Sequence, residues 1–413
     1  MKQRHCFDHI RLIAACALLA ILAAGCTAAR AAGSRPLMLP AGYLSTRGNQ
    51  IVDSRGRPVR LACAGGFGTV VVGGDLGYPP PYKGVDANIK ALAADGFNCI
   101  RADFNDKSVA DPTLMAQFDQ LVAACAKYRV KVIFDHHNDE ATPANWGNAA
   151  QQTNGLWYDL GPGSDGTDDG GDKGTVTDAQ FEKDWVAMAR HWASNPTVIG
   201  FDLDNEPHVG YGTPDNGENW GQGGPGDIRA MYERVGDAIQ AVDPGALIIC
   251  EGPMDVTDKS SIIWWMMDLS HAAAEPVTLK RPHKVVYSVH EYPNMPADSG
   301  AKYIARMNED WGYLVKQNIA PVWIGEMGAS LDVPDGPGAS VADEQAWART
   351  LLSYMNGAAP DGPRFTGDEQ PVSGDWWRWG NLDGETPDGC LDAQGQLRNG
   401  QAVYIDQMLF RKR

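Results

Sequence analysis

Beyond residue 44 the chain alternates between two hydrophobic periods. Apolar runs of four to six residues recur at Val59–Ala64, Asn98–Ala102, Val130–Phe134, Val198–Leu203, Ala246–Cys250, Lys284–Val289, Pro321–Ile324 and Asp375–Trp379. Such runs suit strands buried on both faces. Most are separated by residues at helical spacing. Phe181, Trp185, Met188, Ala189 and Trp192 make one apolar face, and Met231, Val235, Ala238, Ile239 and Val242 another. Both faces are expected to pack into a core. Thr177 with Gln180 predicts a capping box before the first, and Asn195-Pro196 ends it. Asp227 opens the second, with Asp243-Pro244 beyond, and Asp86 is placed to cap a helix that stops at Gly96. Eight strand runs with helical connections match a single α/β domain over residues 43–413, a (β/α)8 TIM barrel. Before it, Leu44 to Leu61 predicts an N-terminal β-hairpin of two short strands around the turn Asp53-Ser54-Arg55-Gly56.

The first 31 residues follow neither period. Lys2, Arg4 and Arg11 precede the apolar run Leu12–Ala24, the arrangement of a secretory signal peptide and too short to span a bilayer comfortably. Leu22-Ala23-Ala24-Gly25-Cys26 resembles a lipobox, with Ala23 where Leu is commonest, so Cys26 is expected to become a lipidated N-terminus. Ala29-Arg30-Ala31 offers the other cut site, that of a freely secreted protein. On either reading the protein is exported, to the cell envelope or the medium. Residues 32–42, with Pro36 and Pro40, are expected to form a linker.

Charge narrows the partners. A formal net charge of −17 argues against nucleic acid, whose phosphates would be repelled, and leaves a neutral polymer open. Outside the signal and Cys26 there are five cysteines, Cys63, Cys99, Cys125, Cys250 and Cys390, without Cys-x-x-Cys spacing. This excludes a zinc site and predicts buried thiols, with one disulfide of unassigned pairing permitted. The segment 165–172 is rich in Asp and Gly but lacks the spacing and closing glutamate of an EF-hand, so it is taken as a solvated turn. No metal, no organic cofactor and a monomeric state are expected.

The candidate chemistry lies at strand ends. Asp204-Asn205-Glu206-Pro207-His208 follows one run, and Gly325-Glu326-Met327-Gly328 another. Two carboxyl groups are what glycosidic cleavage requires, one to protonate the leaving oxygen and one to attack or to activate water. Arg101, His137, His290, Tyr292, Trp376, Trp377 and Trp379 also stand in or after strand runs. Long connections at 138–175, 208–226 and 331–340 follow strand ends as well, as in a barrel whose loops build a wide cleft for a bulky substrate.

On these motifs the sequence resembles glycoside hydrolase family five, especially its bacterial endo-β-1,4-glucanases (cellulases). The resemblance covers nearly everything after Leu44. It is carried by Gly48–Leu61, by Gly200-Phe201-Asp202-Leu203-Asp204-Asn205-Glu206-Pro207-His208, and by Trp311-Gly312-Tyr313 through Pro321-Val322-Trp323-Ile324-Gly325-Glu326. It implies a retaining, endo-acting hydrolase of a cellulose-like β-1,4-glucan. Glu206 would be acid/base and Glu326 nucleophile. Asn205 would bind the sugar 2-hydroxyl, and Arg101 and Tyr292 would support the nucleophile. His290 would lie near the acid/base and His137 near the sugar, and Trp377 would be an aromatic platform, with Trp379 as its alternative. Two departures touch the subsites: Ala64-Gly65-Gly66-Phe67-Gly68 after the first strand, and Gly380-Asn381-Leu382-Asp383-Gly384-Glu385 after the last. The same signature would serve a mannanase or another β-glycanase of the family. A non-catalytic glycan-binding lipoprotein would be expected to have lost Glu206, Glu326 or one of their partners.

Overall fold

The computed structural model describes residues 38–67, 84–137, 156–159, 176–208, 217–253, 268–293, 299–332, 340–380, 389–392 and 394–409. The signal region with Cys26, residues 32–37 of the linker, segment 165–172, residues 381–385, and residues 138–155, 160–175, 209–216 and 333–339 of the long connections lie outside these residues.

A two-stranded antiparallel hairpin, β1 (Ser45–Arg47) and β2 (Gln50–Val52), precedes a closed barrel. The barrel strands are β3 (Ala62–Ala64), β4 (Cys99–Phe104), β5 (Lys131–His136), β6 (Val198–Asp202), β7 (Leu247–Glu251), β8 (Val285–Glu291), β9 (Val322–Met327) and β10 (Ser373–Trp376). They pair in parallel in chain order, and β10 closes the ring on both β9 and β3. Helices α1 (Val85–Asp95), α2 (Asp106–Ala110), α3 (Pro112–Tyr128), α4 (Asp178–His191) and α5 (Ile228–Val242) come before β7. After β8 come α6 (Gly300–Met307) and α7 (Tyr313–Lys316), joined by a π-helical turn at Asn308–Gly312. Helix α8 (Val341–Met355) precedes β10, and α9 (Asn399–Leu409) follows it. All eight predicted runs are barrel strands, so this is the (β/α)8 architecture, with its hairpin.

Alternation along each strand divides the core. Cys63, Cys99, Ile133, Ile249 and Trp323 fill the barrel interior, while Phe134, Phe201 and Ile248 belong to the larger core that includes the helices. The predicted helical faces of α4 and α5 are buried there, including Trp185 and Val235. The opposite end of the barrel from the site is tied to the N-terminal segment. Leu39 and Leu44 are buried in the interior cluster. Lys131 Nζ donates to the Gly42 carbonyl at 3.2 Å, and Lys284 Nζ donates to the Leu44 carbonyl at 2.6 Å.

Three local expectations change. The hairpin turns at Gly48-Asn49, with Gly48 at φ +55, a conformation glycine adopts without penalty. Asp53–Gly56 is a real turn, but it leads out of the hairpin: Asp53 Oδ1 accepts from the amides of Arg55 and Arg57 at 2.8 and 2.9 Å. Gly84, not Asp86, caps α1; Asp86 lies in the first turn and binds Lys127 and Tyr128 of α3. Thr177 caps α4, yet Gln180 turns its side chain to Asp184 at 2.9 Å and leaves the capping box half formed. Asp227 caps α5 as expected. The five cysteines are all buried and free.

Candidate active site

The interior of a parallel barrel is dry, so a charge there needs a partner. Arg101, on β4, supplies one. Its guanidinium is fully buried and serves five oxygens. Nε donates to Asp202 Oδ2 at 2.9 Å and Nη1 to Glu326 Oε1 at 2.5 Å. Nη2 faces Asp135 Oδ1 at 2.8 Å, Asn205 Oδ1 at 2.9 Å and Glu251 Oε1 at 3.1 Å. The rigid donor fork of arginine can span strands β5, β6, β7 and β9 in this way; a lysine point charge could not. The surrounding carboxylates hold Arg101 firmly protonated against its burial.

His290 on β8 is the second buried cation. Nδ1 lies 3.0 Å from Glu206 Oε1, and Nε2 lies 3.0 Å from Glu251 Oε1. Burial opposes its charge, but Glu251, Glu326 and Glu206 together raise its pKa well above the usual histidine value. Gly325 makes room for this ring: a Cβ there would stand 2.5 Å from Ser288 Oγ and 3.1 Å from His290 Nε2. Tyr292 donates its hydroxyl to Glu326 Oε2 at 2.7 Å. Glu206 and Glu326 thus share one chamber, with a carboxyl oxygen of each within 4.8 Å of the other and of His290. Burial raises the pKa of Glu206, with Glu326 adding to the shift, while the His290 hydrogen bond works against it.

Local backbone fixes Glu206. Its φ is +53, the left-handed region that non-glycine residues adopt only under constraint. Its amide donates to Glu251 Oε2 at 2.9 Å, the Asn205 amide donates to the His136 carbonyl at 3.0 Å, and His208 Nδ1 lies 3.0 Å from the Glu206 carbonyl. On the other wall, His137 Nδ1 contacts Asp135 Oδ2 at 2.6 Å, and its ring lies parallel to Trp377, 5.4 Å away at 6°. Gly65 is required there, because a Cβ would meet the Trp377 ring at 2.4 Å. Trp377 is half-buried, whereas Trp379 is core, edge-on to Phe97 and donating to Asn88 Oδ1 at 3.1 Å.

The structure therefore gathers Arg101, His137, Asn205, Glu206, His290, Tyr292, Glu326 and Trp377 at the C-terminal end of the barrel. Sequence reasoning passed over Asp135, Asp202 and Glu251, which complete the ionic network. The signal was present. Each ends or nearly ends an apolar strand run, and Glu251 stands one residue past the run Ala246–Cys250. Arg101 and His290 hold Glu251 below the ordinary carboxylate range despite burial, and Arg101 and His137 do the same for Asp135. Asp202 is pushed well up, by burial first and then by Glu251.

Residues 52–381 match the family Cellulase (glycosyl hydrolase family 5). The chain belongs to glycosyl hydrolase family 5. It is 28% identical over 348 residues to an endoglucanase of Paenibacillus polymyxa, covering 76% of this chain and 77% of the relative. To the major extracellular endoglucanase of Xanthomonas campestris pv. campestris it is 24% identical over 390 residues, 87% of this chain and 70% of the relative. Among solved structures it resembles an endocellulase from Pyrococcus horikoshii in complex with cellotetraose. The TM-score is 0.71 at 22% identity, covering 90% of this chain and all of that one. As a family 5 member the chain is a glycoside hydrolase.

Proposed function

We propose that the protein is an endo-acting β-1,4-glucanase that works by double displacement, with Glu326 as nucleophile and Glu206 as acid/base. The observation that carries this reading is the approach of the two carboxyl groups to within 4.8 Å. Retaining glycosidases keep their carboxyls about 5–5.5 Å apart, and inverting ones about 6.5–9.5 Å, to admit a water.

The surroundings divide the roles. Glu326 receives donors from Arg101 and Tyr292 on its two oxygens, an arrangement that favours its anion. Glu206 is raised by burial and by Glu326, so it carries the proton when substrate arrives. His290 donates to Oε1 of Glu206, which directs the acid proton to Oε2, the atom that meets the glycosidic oxygen. Glu326 attacks the anomeric carbon, the leaving oxygen takes the proton from Glu206, and a glycosyl–enzyme ester forms. Glu206, now a carboxylate, takes a proton from water, which attacks the same carbon and releases Glu326. Asn205 commits Oδ1 to Arg101, so its amide nitrogen serves the sugar 2-hydroxyl. Trp377 offers its ring to a sugar face, with His137 beside it.

A β-1,4-glucan is favoured because the relatives named above are an endoglucanase, an extracellular endoglucanase and an endocellulase seen with cellotetraose. The test is hydrolysis of a panel of soluble β-glucans, mannans and xylans. Internal cleavage of β-1,4-glucan supports the reading; preference for mannan or xylan replaces the substrate while keeping the mechanism. Binding without turnover on any member of the panel would contradict both. We further propose export as a lipoprotein anchored through Cys26, with residues 43–413 acting as a monomeric catalytic domain. Cys26→Ala is expected to abolish fatty-acid labelling and move the activity to the medium; unchanged labelling contradicts it.

A further inference from the structure

One contact beside the acid/base has no part in the scheme above. Asp204 stands two residues before Glu206 at the end of β6, and Glu218 lies at the far end of the β6–α5 connection; both are buried. Their carboxyl groups line one small cavity and lie close enough to act on each other's charge. Two carboxylates offer only acceptors, so a buried pair of this kind needs a proton on one member to hold together. Asp204 Oδ2 and Glu218 Oε2 are buried and have no hydrogen-bond donor among the described residues. The pair lines a narrow cavity of about 10 Å³, room for a single water molecule, that also reaches Glu206 and His208.

The contact closes a loop around Glu206. The Glu218 amide donates to the His208 carbonyl at 3.1 Å, and the His208 ring lies 3.0 Å from the Glu206 carbonyl. From Asp204 the chain passes through Glu206 to His208, crosses to Glu218, and comes back to Asp204 across the cavity that both line. The residue enclosed is the one held at φ +53. Such a backbone persists only where its surroundings over-determine it.

We infer that Asp204 and Glu218 are positioning residues, and that the proton they share braces the acid/base segment until alkaline pH removes it. The inference rests on the role proposed above for Glu206. Loss of the proton leaves two buried anions in contact, which repel and release the far end of the connection. The groups facing the pair set the range. His136 of β5 attracts charge onto Asp204, whereas Asp135 and Glu251 oppose it; Glu251 opposes charge on Glu218 too. Tyr232 of α5 also faces both carboxyls, and His137 and His208 stand at the cavity wall. Burial comes first for both: it pushes Asp204 up to about 7 and Glu218 well above the carboxylate range.

The test is the alkaline limb of kcat/KM on a soluble β-glucan. Loss of the Glu206 proton alone gives the slope of one ionisation; a second required proton makes the wild-type limb steeper. Glu218→Gln keeps a donor to Asp204 that cannot ionise. It should keep activity at about pH 5 and relax the limb to a single ionisation. Glu218→Ala removes the bridge and should lower kcat about tenfold at the same pH with little change in KM. Asp204→Asn supplies the same test if the Gln variant does not fold. A limb in either folded variant that superimposes on the wild type overturns the inference.

Melting against pH reads the pair without catalysis. A raised pKa contributes stability that is complete below the unfolded carboxyl range and is lost as pH rises through the folded value. Wild type should therefore lose Tm as pH passes through about 7 and beyond. Asp184, also raised to about 7, contributes equally to both proteins, so the comparison isolates the pair. A flatter fall in Glu218→Gln supports the shared proton, and identical curves sink it. That flatter fall in a protein that cleaves no glycan would sink the catalytic role instead.

Discussion

Glu206 and Glu326 are chemically the same side chain, yet their surroundings differ in the way the two proposed roles require. Glu326 faces a guanidinium and a phenol, whereas Glu206 faces an imidazolium on one oxygen and is raised by burial. Glu326→Gln keeps the volume and one acceptor oxygen but cannot form the ester. It should reduce kcat by at least about 10⁴-fold with an unchanged circular dichroism spectrum; retained turnover in a folded variant would remove the nucleophile from this position. Glu206 must be protonated to act, so kcat/KM is expected to fall as pH rises through its elevated pKa, not as pH drops. In Glu206→Gln that limb should vanish with most of the activity, when rates are measured on a substrate with a poor leaving group. Arg101 touches four carboxylates and an amide. Arg101→Met leaves buried carboxylates unpaired and is expected to cost about 3–5 kcal/mol of stability, read in denaturant unfolding. Arg101→Lys, which cannot fork, should recover only part of it.

At the scale of elements, the strand ends do the positioning and the caps keep the helices in place. Asp227 accepts from the amides of Gly221, Gly223 and Ala230, so it organises both the incoming loop and the first turn of α5. Asp227→Ala should destabilise by about 1–2 kcal/mol in thermal unfolding with activity per folded molecule little changed. The last strand delivers Trp377 over Gly65, and Trp377→Ala should lower kcat/KM on polysaccharide by about tenfold, against a small change in Tm. Trp379→Ala, by contrast, empties a core site and should lower Tm first. The strands were legible because each is a short apolar run cut off by a polar or glycine residue, which is how a doubly buried strand must look. Their ends were less legible. Glu251 and Asp135 look like the start of a loop, because periodicity does not say that a charge at a strand end turns inward to meet Arg101. The hairpin was placed correctly and its turn was not, since Asp53–Gly56 and Gly48-Asn49 carry equally good turn residues.

Across the whole molecule, the barrel separates stability from chemistry. One end is apolar and plugged by Leu39 and Leu44, with Lys131 and Lys284 holding the entering chain by its carbonyls. The other end concentrates Arg101, His290 and several carboxylates around the paired glutamates. Such a network is costly to desolvate and is a poor source of stability, which fits a cluster kept for its chemistry. The sequence could announce the two glutamates because each stands in a distinctive local motif. It could not announce the pairing of Asp204 with Glu218, two buried carboxyls brought to one cavity from the two ends of a connection. The separation of the two carboxyls also fixes the stereochemistry, and that is the most direct thing to measure. Proton NMR of the first reducing sugar released from a soluble cello-oligosaccharide, taken before mutarotation, should show the β-anomer. An initial α-anomer would mean that water, not Glu326, attacks the anomeric carbon, and it would contradict the account.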